Sequence, residues 1–352
     1  MKKKKVVVAM SGGVDSSVAC ALLKARGMEV IGVTMRLWGG GKDLAGKRNI
    51  EDARDVARKL GIRHYVLELQ DVFREKVIAP FCAEYKNGRT PNPCIRCNQY
   101  IKFGALLKEA GKLEADYLAT GHYARIKFDR KSKKFLLKKG LDRQKDQSYA
   151  LYTLTQKQLP RILFPLGGLT KLKVREIARE KGLLIAARPE SQEICFIPDN
   201  DYGGFLRKYY SAPALPGPIL NTAGQEIARH KGISAYTIGQ RKGIGIAAPE
   251  PLYVISIAPR ANAIVVGKKK DVYRKDLIAG KASFIDSDKL GKPARVKVKV
   301  RYRHPAAWAM VFPLSKNRVK VKFDRPQWAI TPGQAAVFYQ RDTVIGGGTI
   351  RG

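Results

Sequence analysis

Two short segments carry residues that can do chemistry, and the first is a glycine turn near the start of the chain. Ser11-Gly-Gly-Val-Asp-Ser-Ser17 follows the apolar run Val6–Met10 and precedes a helix-like stretch, Val18–Lys24. The start of a helix presents unpaired N–H groups and the positive end of the helix dipole, so it attracts phosphate. Gly12 and Gly13 have no Cβ and let the backbone approach an anion closely, and the serines can add hydroxyl donors. This segment therefore predicts a phosphate-binding turn.

The second segment holds two cysteines in a proline-bracketed loop, Thr90-Pro-Asn-Pro-Cys-Ile-Arg-Cys-Asn98. We expect a helix to begin soon after Asn98. A cysteine just before a helix and beside an arginine should have a lowered pKa and a populated thiolate. Thiolates act as nucleophiles or as metal ligands, and a single C-x-x-C pair does not distinguish these roles. Structural zinc normally needs four Cys or His ligands at paired spacing, so the sequence predicts no zinc site.

The chain has five cysteines. Cys20 falls on the apolar face of the first helix and Cys82 in a helix-like stretch, so both are predicted to be buried fillers. Cys195, roughly a hundred residues beyond the C-x-x-C pair, is the remaining candidate for chemistry. An odd number of cysteines without a secretion signal or an apolar run of ~20 residues predicts a cytoplasmic protein whose cysteines serve chemistry.

The charge of the chain is unusual for a globular protein. Its 352 residues include 67 Lys and Arg against 30 Asp and Glu, which gives a formal net charge of +37. Nucleic acid is the first candidate partner for so basic a chain, and an anionic membrane surface is the second. A general lysine bias would raise the charge without any such partner. The lysines are spread widely, so their excess does not locate a binding surface.

Strand-like and helix-like patterns alternate over residues 5–125, which predicts an α/β fold with a parallel sheet. Ligands bind at the carboxyl ends of such strands, where both the glycine turn and Thr120-Gly-His122 fall. The predicted strands are Val6–Met10, Glu29–Arg36, His64–Leu69 and Tyr117–Thr120, and the predicted helices are Val14–Arg26, 50–60 and Ile101–Leu113.

The rest of the chain is predicted to have a different pattern of secondary structure. Residues 123–140 suggest a basic hairpin, and helical patterns return between Thr155 and Lys181. Prolines near 213–218 mark a boundary, and short strands after about residue 280 predict a small β-barrel or sandwich. We expect three domains, at 1–204, 205–275 and 276–352.

The glycine turn lacks the lysine of the G-x-x-x-x-G-K-(S/T) phosphate loop and resembles the PP-loop of ATP pyrophosphatases. Nearly end to end, the chain resembles the tRNA-specific 2-thiouridylases (MnmA/TrmU family). The segments that carry this resemblance are Ala9-Met-Ser-Gly-Gly-Val-Asp-Ser16, Pro91-Asn-Pro-Cys-Ile-Arg-Cys-Asn98, Ala119-Thr-Gly-His-Tyr123, Lys145-Asp-Gln-Ser-Tyr149, Ser191-Gln-Glu-Ile-Cys-Phe196, Gly239-Gln-Arg-Lys-Gly243, Arg301-Tyr-Arg-His-Pro305 and Ala329-Ile-Thr-Pro-Gly-Gln334.

The resemblance implies a PP-loop domain, a small central domain and a C-terminal β-barrel that contacts tRNA. It implies a tRNA-uridine 2-sulfurtransferase that replaces O2 of the wobble uridine, in the anticodon stem-loop, with sulfur. ATP with Mg2+ would adenylate that oxygen. Cys195 would carry a persulfide delivered by a sulfur-relay protein or a cysteine desulfurase. Cys97 would be the nucleophile and would end in a disulfide with Cys195.

The resemblance also implies three groups of site residues, which differ in what they would bind. The ATP contacts would be Ala9, Met10, Ser11, Gly12, Gly13, Val14, Asp15, Ser16, Met35 and Gly121. The residues around the flipped base would be Asn92, Pro93 and Cys94. The further tRNA contacts would be His122, Lys145, Asp146, Gln147, Arg301, Tyr302 and Gln334.

Two departures from the family pattern leave alternatives open. Many members carry Asp where this chain has Cys94, so Cys94, Cys97 and Cys195 could instead ligate an iron–sulfur (4Fe–4S) cluster. The stretch Trp38–Arg48 contains no cysteine and has no assigned role. A different PP-loop ligase, in which a nitrogen nucleophile attacks the adenylate, would need no cysteine pair. A tRNA-binding chaperone with a vestigial nucleotide turn is a non-enzymatic alternative.

Overall fold

The structure is a computed structural model, and it describes residues 3–38, 44–183, 185, 194–197, 201–210, 215–287, 290–315 and 317–351. Part of the stretch Trp38–Arg48 and part of the segment around Cys195 lie outside these residues. The chain divides into two units, the first made of Met1–Val77, Cys94–Gln192 and Asp342–Ile345, the second of Ile78–Pro93, Glu193–Arg341 and Gly346–Gly352. Within the described residues, no helix has the length and apolar character to cross a membrane.

The secondary structure of the described residues is as follows. The α-helices are α1 (Val14–Ala25), α2 (Leu44–Lys59), α3 (Gln70–Phe73), α4 (Ala79–Lys86), α5 (Pro93–Arg96), α6 (Leu107–Lys112), α7 (Lys171–Glu180) and α8 (Tyr202–Tyr210). The strands are β1 (Lys5–Ala9), β2 (Glu29–Arg36), β3 (Arg63–Glu68), β4 (Tyr117–Ala119), β5 (Ala124–Asp129), β6 (Lys134–Lys139), β7 (Ile162–Leu163), β8 (Gly217–Leu220), β9 (Glu226–His230), β10 (Tyr253–Ala258), β11 (Ala263–Gly267), β12 (Tyr273–Phe284), β13 (Ala294–Lys299), β14 (Ala307–Ser315), β15 (Arg318–Trp328), β16 (Ala335–Gln340) and β17 (Thr343–Ile350).

The first unit is built on a five-stranded parallel sheet in the order β3-β2-β1-β4-β7. Its central strand carries Val6, Val7 and Val8, all fully buried. A β-branched run suits a strand that is covered on both faces. Val18 of α1 and Val174 of α7 belong to the core that covers this sheet. The predicted α/β fold with a parallel sheet is confirmed.

The first unit also contains the predicted basic hairpin, β5 and β6, in antiparallel register. The helical pattern expected over residues 155–181 is only partly correct. A single 3-10 turn (Leu159–Arg161) and the short strand β7 come first, and α7 begins only at Lys171. Pro160 cannot donate a helical hydrogen bond, and Gly167 and Gly168 favour a turn, so a helix cannot run through this segment.

The second unit contains a four-stranded sheet in the order β10-β11-β8-β9 and a closed antiparallel barrel of six strands. The barrel order is β12-β15-β14-β13-β16-β17, and β12 pairs with β17 to close it. Side chains alternate along β15, where Val319, Val321 and Phe323 are buried and their neighbours are exposed. The predicted C-terminal barrel is confirmed, although its long first strand, β12, was not expected from the sequence.

Candidate active site

The glycine turn lies at the carboxyl end of β1 and leads into α1. Gly13 precedes the helix with an extended backbone (φ −98°, ψ 162°). The Ser11 N–H donates to Ser16 Oγ over 3.2 Å, and the hydroxyls of Ser16 and Ser17 each donate to the Gly13 carbonyl over 3.0 Å. Ser17 is completely buried. Its hydroxyl therefore holds the turn together instead of facing a ligand.

Two glycines are required here by close approach of the backbone. Gly12 has a φ of +70°, and a Cβ on it would lie 2.5 Å from the carbonyl oxygen of Asn49. Gly121 follows β4, and a Cβ on it would lie 2.9 Å from the backbone N of Ser16. The loops after β1 and β4 consequently pack against each other at the carboxyl edge of the sheet, where parallel α/β folds bind ligands.

A cavity of about 200 Å³ lies at this edge, wholly within the first unit. It gathers most of the residues implied as ATP contacts, together with four others. The implied contacts in its wall are Ala9, Met10, Ser11, Asp15, Ser16, Met35 and Gly121. The others are Lys102, Thr120, His122 and Gln147. Gly12, Gly13 and Val14 instead form the turn and the start of the helix.

Asp15 of the glycine turn is bound by two side chains that the sequence analysis missed. Lys171 Nζ lies 2.7 and 2.8 Å from the two carboxylate oxygens, and the Tyr123 hydroxyl donates to Oδ1 over 2.7 Å. Lys171 is the first residue of α7 and is buried. The available signal was a lysine at the start of a helix. It did not reveal the pairing, because Lys171 and Asp15 lie 156 residues apart in the sequence.

The segment Lys145–Gln147 takes two different roles in the structure. Gln147 lines the cavity, and its Oε1 accepts from the Tyr123 N–H over 3.0 Å. Asp146 is buried and accepts hydrogen bonds from the N–H groups of Gly140 and Ser148 and from the Ser148 hydroxyl. That carboxylate orders its own loop. The contact of this segment with tRNA stays a prediction.

Cys94 and Cys97 lie in a continuous helical stretch, because α5 runs into a π-helix (Cys97–Leu106) and then into α6. The helix expected to begin after Asn98 therefore begins earlier, and Cys97 is not at its amino end. Burial raises the pKa of the Cys97 thiol to about 11, although the positive charge of Lys102 lowers it. Cys94 keeps some exposed surface, but the protein around its thiol displaces water, and this desolvation raises its pKa as well.

The prediction of a lowered pKa for Cys97 is therefore wrong. Arg96 Nε donates to the Lys76 carbonyl over 2.6 Å, and its guanidinium lies 4.9 Å from the Tyr100 ring. These contacts position the Arg96 side chain, and its charge is not among the causes that shift the pKa of Cys97. Burial then dominates, since it disfavours an ionised thiol.

Cys195 belongs to the second unit and is exposed. Its neighbour Phe196 is buried, with ring centroids 5.3 Å from Phe81 and 5.2 Å from Phe205. These rings anchor the short described segment 194–197 so that the cysteine faces outward. Cys20 and Cys82 are buried as predicted. Among the described residues, no group of three or more His, Cys, Asp or Glu side chains is placed to hold a metal ion.

In the second unit, several hydrogen bonds hold the residues just before Asn92. The Thr90 N–H donates to the Pro332 carbonyl over 2.9 Å, and the Thr90 hydroxyl donates to Thr237 Oγ1 over 3.1 Å. Gln334 Nε2 donates to the Thr90 carbonyl over 2.8 Å. Gln334, which was expected to contact tRNA, thus braces this segment.

Arg301 and Tyr302 follow strand β13 and are half-buried. The Arg301 guanidinium donates to the Ile238 carbonyl over 2.9 Å and also to the Thr331 hydroxyl. The Tyr302 ring lies 5.7 Å from Lys299 Nζ. Arg301 thus holds two loops of its own unit, while Tyr302 presents an aromatic ring beside a cation.

A basic aromatic surface on the barrel was not expected from the sequence. Trp308 of β14 is 47% exposed and stands directly opposite Lys297 of β13. Lys297 Nζ lies 5.3 Å and the Arg295 guanidinium 5.5 Å from the Trp308 ring. We call Arg295, Lys297 and Trp308 the Trp308 surface. Aromatic rings beside cations suit stacked bases and phosphates.

A parallel sheet with a glycine turn and a helix start at its carboxyl edge defines a nucleotide-binding α/β protein. Family models agree: the tRNA methyl transferase HUP domain matches residues 4–199. The tRNA methyl transferase PRC-barrel domain matches residues 203–268, and the aminomethyltransferase beta-barrel domain matches residues 274–350.

Two curated relatives show which family of nucleotide-binding α/β proteins the chain belongs to. The tRNA-specific 2-thiouridylase MnmA of Acetivibrio thermocellus is 50% identical over 362 residues, covering 100% of both chains. MnmA 2 of Caldanaerobacter subterraneus is 53% identical, covering 99% of this chain and 98% of its own. The chain therefore belongs to the tRNA-specific 2-thiouridylase family. A solved structure, the U34-tRNA thiolase NcsA from Methanococcus maripaludis, is similar at only 18% identity and a TM-score of 0.37, covering 59% of this chain and 68% of its own.

Proposed function

We propose that this chain is a tRNA-uridine 2-sulfurtransferase that thiolates C2 of the wobble uridine at the expense of ATP. The observation that carries the proposal is the cavity, because it places the glycine turn, Met35 and Gly121 around one space beside the start of a helix. Unpaired N–H groups and a helix dipole favour phosphate there. The full-length similarity to 2-thiouridylases supports the choice of substrate.

The residues of the cavity would hold ATP with Mg2+. Asp15 provides a carboxylate in the cavity wall, and Mg2+ typically uses one or two carboxylates together with substrate phosphates and water. When bound, the ion supplies positive charge that offsets the charge of the phosphates. Lys171 and Tyr123 hold the Asp15 side chain in position. The N–H groups at the start of α1 would orient the phosphate groups.

Adenylation joins uridine O2 to the α-phosphorus of ATP. The bond from that phosphorus to the bridging oxygen breaks, pyrophosphate leaves with the electron pair, and the N3 proton of the base is lost. Asn92, Pro93 and Cys94 would surround the flipped base. Extruding a base costs a few kcal/mol, which contacts in the pocket must offset. A braced backbone at Thr90 supports a base pocket beside it, because a pre-formed pocket loses less entropy on binding.

The sulfur step would use Cys195 and Cys97. The terminal sulfur of a Cys195 persulfide attacks C2, and AMP leaves with the C2–O bond electrons. The Cys97 thiol loses its proton and its sulfur attacks the Cys195 sulfur, which forms a Cys97–Cys195 disulfide and releases the other sulfur on C2. N3 of the base regains a proton, so C2 becomes a thiocarbonyl. An external thiol must reduce the disulfide before the next turnover. A sulfur-relay protein or a cysteine desulfurase would supply the persulfide.

We propose the division 1–204, 205–275 and 276–352 for the three domains, which agrees closely with the family-model ranges. The anticodon stem-loop would be the tRNA element bound, and the candidate contacts are Arg301, Tyr302 and the residues of the Trp308 surface. The cytoplasmic location stays a prediction.

The decisive experiment is nucleoside mass spectrometry of tRNA incubated with the protein, ATP, Mg2+ and a persulfide donor, namely a cysteine desulfurase with free cysteine. We expect new 2-thiouridine that depends on ATP, and its absence with an unmodified tRNA substrate would overturn the proposal. Cys97→Ser and Cys195→Ser should each abolish thiolation in a persulfide-dependent assay. A ligase that uses a nitrogen nucleophile would retain activity in both variants.

The iron–sulfur alternative needs Cys94, Cys97 and Cys195 as three thiolate ligands at one place. We propose the persulfide route, which needs only the thiol–disulfide exchange between Cys97 and Cys195. Anaerobic purification followed by iron and acid-labile sulfide analysis tests this choice. Both elements should be absent after reconstitution, and their presence in the ratio of a cluster would favour the alternative.

A further inference from the structure

The nucleotide cavity contains a lysine that the PP-loop sequence itself lacks. Lys102 projects into the cavity wall from the π-helix Cys97–Leu106, five residues after Cys97. The same wall carries Ser11 and Asp15 of the glycine turn. A lysine from a distant segment thus shares one space with the turn that is built for phosphate.

Lys102 is held by a neutral histidine. Lys102 Nζ lies 3.5 Å from His122 Nε2, and His122 Nδ1 lies 2.6 Å from Thr120 Oγ1. His122 is buried, and this burial, together with the charge of Lys102, lowers its pKa well below the usual value. An ammonium group can only donate, so Nε2 accepts from Lys102 and the Nδ1 proton is donated to Thr120.

The charge of Lys102 is not neutralised by a nearby acid. Throughout the part of the chain that the structure describes, no carboxylate lies within ion-pair distance of its ammonium group. Lys171 differs, because both oxygens of Asp15 lie within 2.8 Å of its Nζ. Among the described residues, Lys171 therefore has a carboxylate partner and Lys102 does not, which leaves the Lys102 ammonium group available to an anionic ligand.

We propose that Lys102 is the phosphate-binding catalytic lysine of this site, and that His122 and Thr120 are positioning residues that orient it. The inference rests on the proposed use of ATP. Phosphate loops of the G-x-x-x-x-G-K-(S/T) type place a lysine on the β- and γ-phosphates, and here the fold supplies one from another element. As the bond to the bridging oxygen breaks, Lys102 donates hydrogen bonds to the phosphoryl oxygens and keeps its protons. The electron pair leaves with pyrophosphate.

The test measures binding of ATP and of adenosine by calorimetry, with no tRNA present. Lys102→Met should weaken ATP binding about tenfold to a hundredfold, because a charge-assisted hydrogen bond is lost, and should leave adenosine binding within about twofold. Lys102→Arg should recover part of the loss. Lys108→Met is the matched control, since Lys108 is an exposed lysine in the adjoining helix α6, and it should bind ATP normally.

The positioning role of His122 has its own readout. His122→Phe should weaken ATP binding, and the Lys102→Met/His122→Phe double variant should bind ATP no more weakly than Lys102→Met alone, because the histidine acts through the lysine. Additive losses, or equal losses of ATP and adenosine binding, would overturn the inference. Normal ATP binding by Lys102→Met would overturn it as well. Failure of the unsubstituted protein to bind ATP would instead contradict the proposed function.

Discussion

The side-chain amide of Gln334 donates to the main-chain carbonyl of Thr90 over 2.8 Å. Thr90 lies two residues before Asn92, so a loop of the barrel is tied to the segment proposed to surround the base. The space is tight, because a Cβ on Gly333 would lie 2.9 Å from the Thr90 carbonyl carbon. A tRNA contact by Gln334 would then use its carbonyl oxygen, while its amide nitrogen holds the backbone at Thr90.

Removing this brace should slow thiolation without changing ATP binding. Gln334→Ala deletes the hydrogen bond of Nε2 to the Thr90 carbonyl and its longer contact, at 3.5 Å, with the Pro91 carbonyl. A loss of about 1 kcal/mol predicts a roughly fivefold lower rate of 2-thiouridine formation. Nucleoside mass spectrometry measures the rate, and calorimetry measures ATP binding. Gln340→Ala, at an exposed position on strand β16, is the matched control. An unchanged rate in Gln334→Ala would show that the brace is not needed.

Adding one methyl group at Gly121 should damage the nucleotide site. A Cβ there would lie 2.9 Å from backbone atoms of Asp15 and Ser16. The loop must shift away from the start of α1, at a cost of about 1–3 kcal/mol typical of overpacking. We expect Gly121→Ala to lower the melting temperature and to weaken ATP binding at least tenfold.

The control for this substitution is Gly168→Ala, since a Cβ at Gly168 would meet no atom within 4 Å. This variant should bind ATP like the unsubstituted protein. Gly13→Ala tests the packing of the glycine turn itself, because the nearest atom to its Cβ would be Ser11 Oγ at 3.4 Å. Equal ATP affinities for Gly121→Ala and Gly168→Ala would contradict the tight packing of the two loops.

The thiol of Cys97 should react slowly at neutral pH. Its pKa is raised to about 11, so the thiolate fraction at pH 8 is roughly a hundredfold or more below that of an ordinary cysteine. In a Cys94→Ser/Cys195→Ser background, alkylation by iodoacetamide should accelerate about tenfold per unit from pH 7 to pH 10. The urea-unfolded chain is the control, and its three remaining cysteines, Cys20, Cys82 and Cys97, should react as ordinary thiols. A rate that levels off below pH 8 would show a stabilised thiolate.

The elements that the sequence predicted well are those determined by local pattern. The bounds expected for β2, Glu29–Arg36, coincide with the structure, because a run of β-branched residues between turns has little alternative to a strand. The glycine turn was also located correctly, since few local sequences combine paired glycines with a strand and a helix start. Counting the cysteines left Cys195 as a candidate for chemistry, and the resemblance to a family added its pairing with Cys97, which no local pattern could supply and which stays a prediction.

What the sequence could not show depends on tertiary contacts. Lys171 reaches Asp15 across 156 residues, and Lys102 enters the cavity from the helical stretch that carries Cys97. The pKa of Cys97 was mispredicted for the same reason. A local rule counted the charge of Arg96 but could not include the burial of the thiol, which is the largest cause of its raised pKa.

The Trp308 surface should contribute to tRNA binding. Stacking of a base on an exposed aromatic ring is worth about 1–3 kcal/mol, so Trp308→Ala should weaken tRNA binding roughly fivefold to a hundredfold. Leu314→Ala is the control, because Leu314 is a large apolar residue that is 52% exposed on the same strand. Filter binding at fixed salt measures both. If the two variants bind tRNA equally well, this surface does not face the RNA.

The pair formed by Asp15 and Lys171 should show a separation between stability and activity. Asp15→Asn leaves the buried Lys171 ammonium without its carboxylate, which should lower the free energy of unfolding by about 1–3 kcal/mol, a value reduced by the partial exposure of Asp15. Adding Lys171→Met removes the stranded charge and should restore much of that stability. Asp15→Asn should also abolish the release of pyrophosphate. The double variant should not regain this activity, because it still lacks the carboxylate proposed to hold Mg2+. Urea unfolding and a pyrophosphate assay measure the two effects, and recovery of both together would mean that Asp15 matters only as a partner of Lys171.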